Sequence, residues 1–583
     1  MATIQSVNAT IDNFLGINEK NLGPYDYKLG ECGVLSNYRI NESGGLQKRE
    51  GINRIAPQFG SGFALLAFTE GSLMNQISYT ADSKYIFFMT KNKLYAYGHE
   101  SGTVHDIANV SAFSKSRYVM FIWNKYLYFM DDNSYRKFDG ITVSGIEGYC
   151  PTLYVNTAPN GVGTRLEDVN MLCQYRQMEF ISDDQSITYK LCEKNINQLI
   201  SLTIDDAVIS SSNYTLDLQN GVIVFNYPLL PGQLVKVKWK KSNAAEIAAL
   251  LENRFHMFYG GKNDAVLFLW GCTDKQRWAR RRFSGVGDPE YFPVNSYNDI
   301  GYSKYPITDI VRQYDRQIIF TQGDIYYSYI EQDETDVTFP VFSLNSEVGN
   351  EIYDGVQIVN NNPVFLNRYG LYELVSSGVR DERNVVKISD KVERTLAQLE
   401  LPECVVVNDR SKNELLICYN GTALVYNYVN KCWYKFTNVN ADGFFILNNE
   451  LCFYTSDAYF FKFKKGQLFD HNVTQQELPI VAECEVNIGD FNKPLTYKYT
   501  SNLVMKFTDK QNLQVKVYCA VDNGDYRHIG TVEGYADIGI KPKKLRLDVR
   551  KFVNMKLRFV SDSKSKSGDV KSVGVPVNMV GKV

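Results

Sequence analysis

One pattern constrains this chain more than any other: an apolar strand, a tight polar turn, then a second strand typically carrying Leu-Tyr or Ile-Tyr. It recurs as KYIFFMTKNKLYAY (84–97), YVMFIWNKYLYFM (118–130), QIIFTQGDIYYSY (317–329), PVFLNRYGLYEL (363–374), ELLICYNGTALVYNY (414–428) and FFILNNELCFYTSDAYFFKF (444–463). RFHMFYGGKNDAVLFLW (254–270) is a degenerate copy. The connecting residues are Asn, Asp, Lys and Gly, the turn chemistry of a β-hairpin. A spacing of roughly 30 to 60 residues brackets the length of a four-stranded propeller blade. Helical patterns between the copies are scarce, so the predicted class is all-β, with a β-propeller of about seven blades.

Composition agrees. Aromatic residues make up 13% of the 583, with 40 Tyr and 33 Phe, types that suit a pleated, half-buried surface. A chain this long forms roughly three or four domain-sized units. Net charge is −2, so no global basic field recruits nucleic acid. Five histidines argue against a His-rich metal centre, and no cofactor is expected. The 11 cysteines occur singly with no CxxC, the usage of buried free thiols in a reducing compartment and not of a disulfide framework or zinc knuckle. The opening MATIQSVNATIDNF lacks the basic and apolar regions of a signal peptide, and no apolar run is long enough for a membrane span.

The expected organisation has five parts. Residues 1–55, polar with isolated apolar anchors, form an extended N-terminal arm laid over other surfaces. Residues 56–177 hold the first propeller blades and 243–479 the second set. Between them, residues 178–242 form a small inserted β-sandwich, marked by alternation of Val235, Val237 and Trp239 with Lys236, Lys238 and Lys240 and by the Asn220-Gly221 turn. Residues 480–583 alternate again and read as a C-terminal β-sandwich. Helices are expected at 243–255 and at 389–400, the latter with Ser389 as N-cap.

Candidate sites are few. GVGDPEYFP (285–293) offers Asp288 and Glu290 as a carboxylate pair for glycoside hydrolysis. A proline-fixed turn carrying two aromatics explains them better, with both acids bonding locally. KQRWARRRF (275–283) sets Arg277, Arg280, Arg281 and Arg282 around Trp278, a subunit-facing basic patch or a phosphate contact. KVKWKK (236–241) has the lysine face of a solvated edge strand. DDNSYRKFDG (131–140) lacks the ligand pattern of a calcium loop and reads as a turn between strands. GxSxG, P-loop, HExxH and GxGxxG motifs are absent, so no enzymatic activity is expected.

Three stretches together carry a family resemblance. CGVLSNYRINESGGLQKREGINRI (32–55), DPEYFPVNSYNDIGYSKYPITDIVRQYDRQIIFTQGDIYYSYI (288–330) and the YTLDLQNGVIVF core of the insert are similar to segments of tailed-bacteriophage β-propeller tail proteins, of the tail nozzle (tubular) or DNA-stabilisation and head-completion type. Arg49-Glu50-Gly51 stands where that family often carries Arg-Pro-Gly. The resemblance implies a structural virion protein in the tail, assembled in the host cytoplasm. It would form a homo-oligomeric ring, a hexamer among the options, with tail, adaptor or portal proteins as partners and non-specific contact with phage DNA in the lumen. On this view Gly44-Gly45 reverses the arm, and Lys48 and Arg49 either hold it in place or touch a neighbouring subunit. The alternative is a receptor-binding tail component recognising host glycan, which exposed aromatics clustered on one rim would favour.

Overall fold

The computed structural model describes residues 6–20, 28–55, 85–90, 92–98, 101–111, 117–260, 263–332, 337–375, 384–457, 459–489, 491, 493, 495–507, 511–536 and 542–582. The fold is all-β. Among these residues the α-helices are Ala244–Leu251 and Glu393–Leu396, and neither is long and apolar enough to cross a membrane. Much of the expected first blade segment, 56–84, lies outside the described residues.

The chain divides into two compact units, 68–348 and 1–67 with 349–583. The first holds four antiparallel meanders. They run Tyr85–Met89 to Val104–Asn109, Met120–Trp123 to Val143–Gly145, Phe255–Tyr259 to Tyr297–Asp299, and Ile307–Gln313 to Val341–Asn345. The second holds three, beginning at Gln357–Val359, Val405–Asp409 and Gly443–Leu447. Each of the seven expected hairpins therefore has a meander of its own. Turn chemistry explains the local precision. Asn124-Lys125, Asn420-Gly421 and Asn448-Asn449 all have both central residues at positive φ, as a two-residue turn matched to strand twist demands.

Packing within the first unit is aromatic. Phe121 and Tyr128 of the second meander share a buried cluster with Leu267 and Leu269 of the third and with Leu250 and Leu251 of the helix. Trp123 stacks on Phe258 at 4.8 Å.

The insert is larger than its sequence boundaries. A six-stranded sheet recruits Thr152–Thr157 and Thr164–Arg165 beside Tyr175–Ile181, Leu234–Lys240, Gln198–Ile204 and Ala207–Val208. A three-stranded sheet, Thr188–Lys190, Val222–Phe225 and Tyr214–Asp217, shares its core of Tyr189, Ile223 and Trp239. The expected edge position of KVKWKK is corrected here. Leu234–Lys240 is an interior strand, paired on both sides, because burial of Val235, Val237 and Trp239 seats it in mid-sheet. Its lysines line the other face, not an edge.

In the second unit the C-terminal residues form two sheets whose alternate side chains, including Cys484, Val486, Leu503, Met505, Val517 and Phe559, fill one core. The arm is woven into them strand by strand. Ser6–Ile11 pairs with Val570–Lys582, Glu31–Ser36 pairs with Ala482–Gly489, and Gly51–Arg54 adds a fourth strand to the meander Gly443–Leu447, Glu450–Tyr454, Phe460–Lys464. Gly44, at φ +77, makes the expected reversal and donates its N–H to Asn41 O at 2.9 Å.

The second helix differs from expectation. It spans only Glu393–Leu396, and Val392, not Ser389, precedes it. Ser389 is fully buried and accepts the Leu371 N–H at 2.9 Å, a tertiary partner that displaces the capping role.

Candidate functional site

The stretch LQKREG forms a junction within the second unit. Leu46–Lys48 pairs with Tyr38–Ile40 as a short hairpin, and Gly51–Arg54 leaves it for the meander edge. Between them Arg49 is fully buried. Its Nε donates to Asn37 Oδ1 at 2.8 Å, and Nη1 donates to Glu50 O at 2.9 Å and Asp470 Oδ1 at 2.8 Å. Nη2 donates to Thr437 O at 3.0 Å and Asp470 Oδ2 at 2.5 Å. A guanidinium has five N–H donors, and all are used inside the chain. None remains for a phosphate or a neighbouring subunit.

Around this core sits a second ring of charge. Glu50 meets Lys412 Nζ at 2.7 Å and Arg39 Nη1 at 3.7 Å, while Arg39 Nε donates to Glu414 Oε1 at 2.6 Å. Tyr434 also donates to Glu414 Oε1, at 2.7 Å. Lys48 is buried, its Nζ donating to Ser563 O at 3.0 Å and its N–H to Asp569 Oδ1 at 2.8 Å. Burial pushes the Lys48 ammonium down to about 8, with Asp562 and Asp569 pulling the other way. Arg49 thus holds the arm from inside the second unit with Lys48 buried beside it, and the expected DNA or subunit contact through either is corrected by their burial.

The other four predicted cations lie in the first unit and do not form one patch. Arg277 bonds Glu252 Oε1 at 2.9 Å and Asp274 Oδ2 at 3.1 Å. Arg280 grips Asp299 with two bonds, 2.7 and 2.8 Å, and lies 3.7 Å above the Tyr297 ring. Arg281 is fully buried and meets only neutral acceptors: Asn298 Oδ1, Gln317 Oε1, Ser328 Oγ and Phe339 O. Burial without a carboxylate pushes its guanidinium down to about 9. Arg282 is also buried, with Nη1 3.5 Å from Met171 Sδ. Burial, then repulsion from Arg280 and Arg277, lowers its pKa. The expected contact patch for a subunit or for DNA is corrected for Arg281 and Arg282, which point to opposite faces of one strand and are both covered by packed neighbours.

Asp288 bonds its local backbone as expected, whereas Glu290 departs from expectation and reaches side chains of another meander. Asp288 Oδ1 accepts the Glu290 N–H at 2.8 Å. Glu290 Oε1 accepts from Tyr128 OH at 2.8 Å and Lys137 Nζ at 2.6 Å, tying its loop to the second meander. Asp131 organises the DDNSYRKFDG turn, accepting the N–H groups of Asn133 and Ser134 at 2.9 and 2.7 Å.

Sequence reasoning missed one feature. In the second unit, the first strands of three consecutive meanders line a common cleft of about 650 Å³, walled by Gln357, Ile358, Val407, Asn408 and Phe445 together with Leu451 of a second strand. Asn408 bridges two of those strands, its N–H donating to Gln357 Oε1 at 3.2 Å and its Nδ2 to Ile358 O at 2.8 Å. Asp409 and Arg410 are its ionisable lining residues. Among the described residues no group of three His, Cys, Asp or Glu side chains is placed to hold a metal.

No protein-family model and no curated protein matches the chain. Solved structures that align with it include the computationally designed Ika8 protein, at 8% identity and TM-score 0.31 over 70% of this chain and 99% of that one. The Pan2 WD40 domain of Neurospora crassa aligns at 8% and 0.30 over 72% and 95%. An exo-β-1,3-galactanase of Phanerochaete chrysosporium aligns at 9% and 0.19 over 89% and 100%. Scores this low carry no inference about fold or activity.

Proposed function

We propose that this chain is a structural virion protein of a tailed bacteriophage, built on a seven-bladed propeller and assembling as a tail nozzle or adaptor ring around the DNA channel. The observation that carries the reading is the pairing of Gly51–Arg54 with Phe460–Lys464. A strand preceding all the repeated hairpins completes the sheet of the last one, as joining the two ends of a circular array of blades requires. The cleft lined by successive first strands supports it, since the inner strand of each blade faces the axis of a propeller.

In this reading the arm and the C-terminal sheets make the contacts with sister copies and with adjoining tail or portal proteins. Negative-stain imaging of the purified full chain tests it. Closed rings or stacked tubes are the expected particles, and dispersed monomers or trimers overturn the ring.

A second reading, recognition of host glycan, is favoured by the aromatic residues around Tyr302 in the first unit, where Tyr302 itself is fully exposed.

A further inference from the structure

The most unusual backbone in the first unit lies between its third and fourth meanders. Gly301 (φ 58, ψ 36), Tyr302 (φ 55, ψ 31) and Ser303 (φ 59) follow one another in the left-handed region. For residues with a Cβ that region is disfavoured by roughly 1–2 kcal/mol each and is normally visited singly. The surroundings enforce it. Ile300 is buried and donates its N–H to Ala279 O at 2.9 Å, Trp278 Nε1 donates to Ser303 O at 3.0 Å, and Lys304 N–H closes onto Gly301 O at 3.2 Å. A Cβ at Gly301 would lie 2.4 Å from the Tyr326 hydroxyl, so a larger residue would have to displace that side chain as well as adopt the left-handed backbone.

The result is a tyrosine held wholly in solvent, with a relative exposure of 103%. A side chain in that position adds no burial to the fold, and Asn or Gly would adopt the backbone with less strain. Its neighbours share a chemistry. Trp278, Tyr305 and Tyr326 are half-buried around the turn, with the Lys275 ammonium 5.9 Å from the Trp278 ring centre and the Lys304 ammonium 4.6 Å from that of Tyr305. Among the described residues neither lysine has a carboxylate within ion-pair distance, although Lys304 bonds Tyr305 and feels the more distant Asp324, whereas Arg277 and Arg280 are already paired.

The geometry points to a recognition site for an acidic saccharide at this turn, an assignment that rests on the glycan-recognition reading given above. Aromatic faces accept the C–H face of a pyranose ring, phenol hydroxyls exchange hydrogen bonds with its hydroxyls, and the two lysines meet a carboxylate or sulfate. Single-stranded nucleic acid also stacks on aromatics, so it is the competing ligand.

Calorimetric titration of the full-length protein with tetragalacturonate, a heparin tetrasaccharide, neutral maltotetraose and a thymidine decamer tests the site. Binding of one or both acidic probes, with maltotetraose and the decamer much weaker, is expected; which acidic probe binds separates carboxylate from sulfate. Tyr302→Ala and Lys304→Gln should each weaken that binding about tenfold or more, while Tyr302→Phe retains most of it. Thermal unfolding of the exposed-site variants should match the parent. Failure of both acidic probes, affinity unchanged in Tyr302→Ala, equal binding of the decamer, or loss of self-association in Tyr302→Ala would each overturn the assignment.

Discussion

Arg49 and Asp470, 421 positions apart in sequence, form a buried two-pronged ion pair with bonds of 2.8 and 2.5 Å. The Asp470 carboxylate also accepts the Ile52 N–H at 2.9 Å and the Asn438 amide at 3.2 Å. Both charges are thus hydrogen-bonded throughout, the condition under which a buried pair is tolerated. The pair locks the arm against the short strand Phe469–His471 that follows the last meander.

Arg49→Ala leaves the Asp470 carboxylate buried without its counter-charge and should destabilise the second unit by about 3–5 kcal/mol. Arg49→Lys should recover only part of this, because an ammonium cannot reproduce the planar five-donor fork. The measurement is urea unfolding followed by hydrogen exchange of the 46–54 amides. Unchanged protection in Arg49→Ala would refute the clamp.

Gly51 sits where a Cβ would lie 2.0 Å from Phe469 O. Gly51→Ala should therefore detach Gly51–Arg54 from Phe460–Lys464, at roughly 1–3 kcal/mol for a strained core position. Faster limited proteolysis between residues 40 and 60 is the expected readout.

Lys48 gives a pH signature. Unfolded, it holds its proton up to about 10.5, and folded it releases it near 8. The unfolded chain binds more protons between those values, so this group's contribution to stability rises from pH 8 to 10.5, and its burial costs most below pH 8. Lys48→Met should raise stability at pH 7 by about 1–2 kcal/mol, a gain that shrinks by pH 10.5. Equal gains at both pH values would contradict this.

His256, half-buried beside Phe121 at 5.4 Å, is pushed down to about 4 by burial. It stays neutral in the fold while the unfolded chain protonates near 6.5, so stability falls as pH drops from about 6.5 to about 4. His256→Leu should flatten that slope by roughly 1–3 kcal/mol across the interval, read from unfolding midpoints at pH 7 and 4.5.

The hairpins were legible because each is written in a short window. Apolar alternation, an Asn, Asp or Gly pair and a returning strand sit within about fifteen residues, and the turn dihedrals depend on those residues alone. The same locality made the Gly44 reversal and the Asp131 turn readable. The paired cations were not readable this way. Arg280, Arg281 and Arg282 are adjacent and chemically identical, yet one is stacked and paired at the surface, one is buried among neutral oxygens, and one lies against a methionine sulfur. Strand alternation alone separates neighbours onto opposite faces, but which face is sealed depends on what the next meander lays over it.

From its residues alone this protein was committed to being all-β, to seven hairpins and to an arm too polar to fold unaided. Long-range assembly settled the rest: that KVKWKK lies mid-sheet, that Ser389 serves Leu371 instead of a helix, and that Arg49 is spent on Asp470. The reason is reach. Turn preference acts across a few bonds, whereas desolvation and hydrogen-bond satisfaction depend on partners hundreds of residues away, which exist only once the chain has folded.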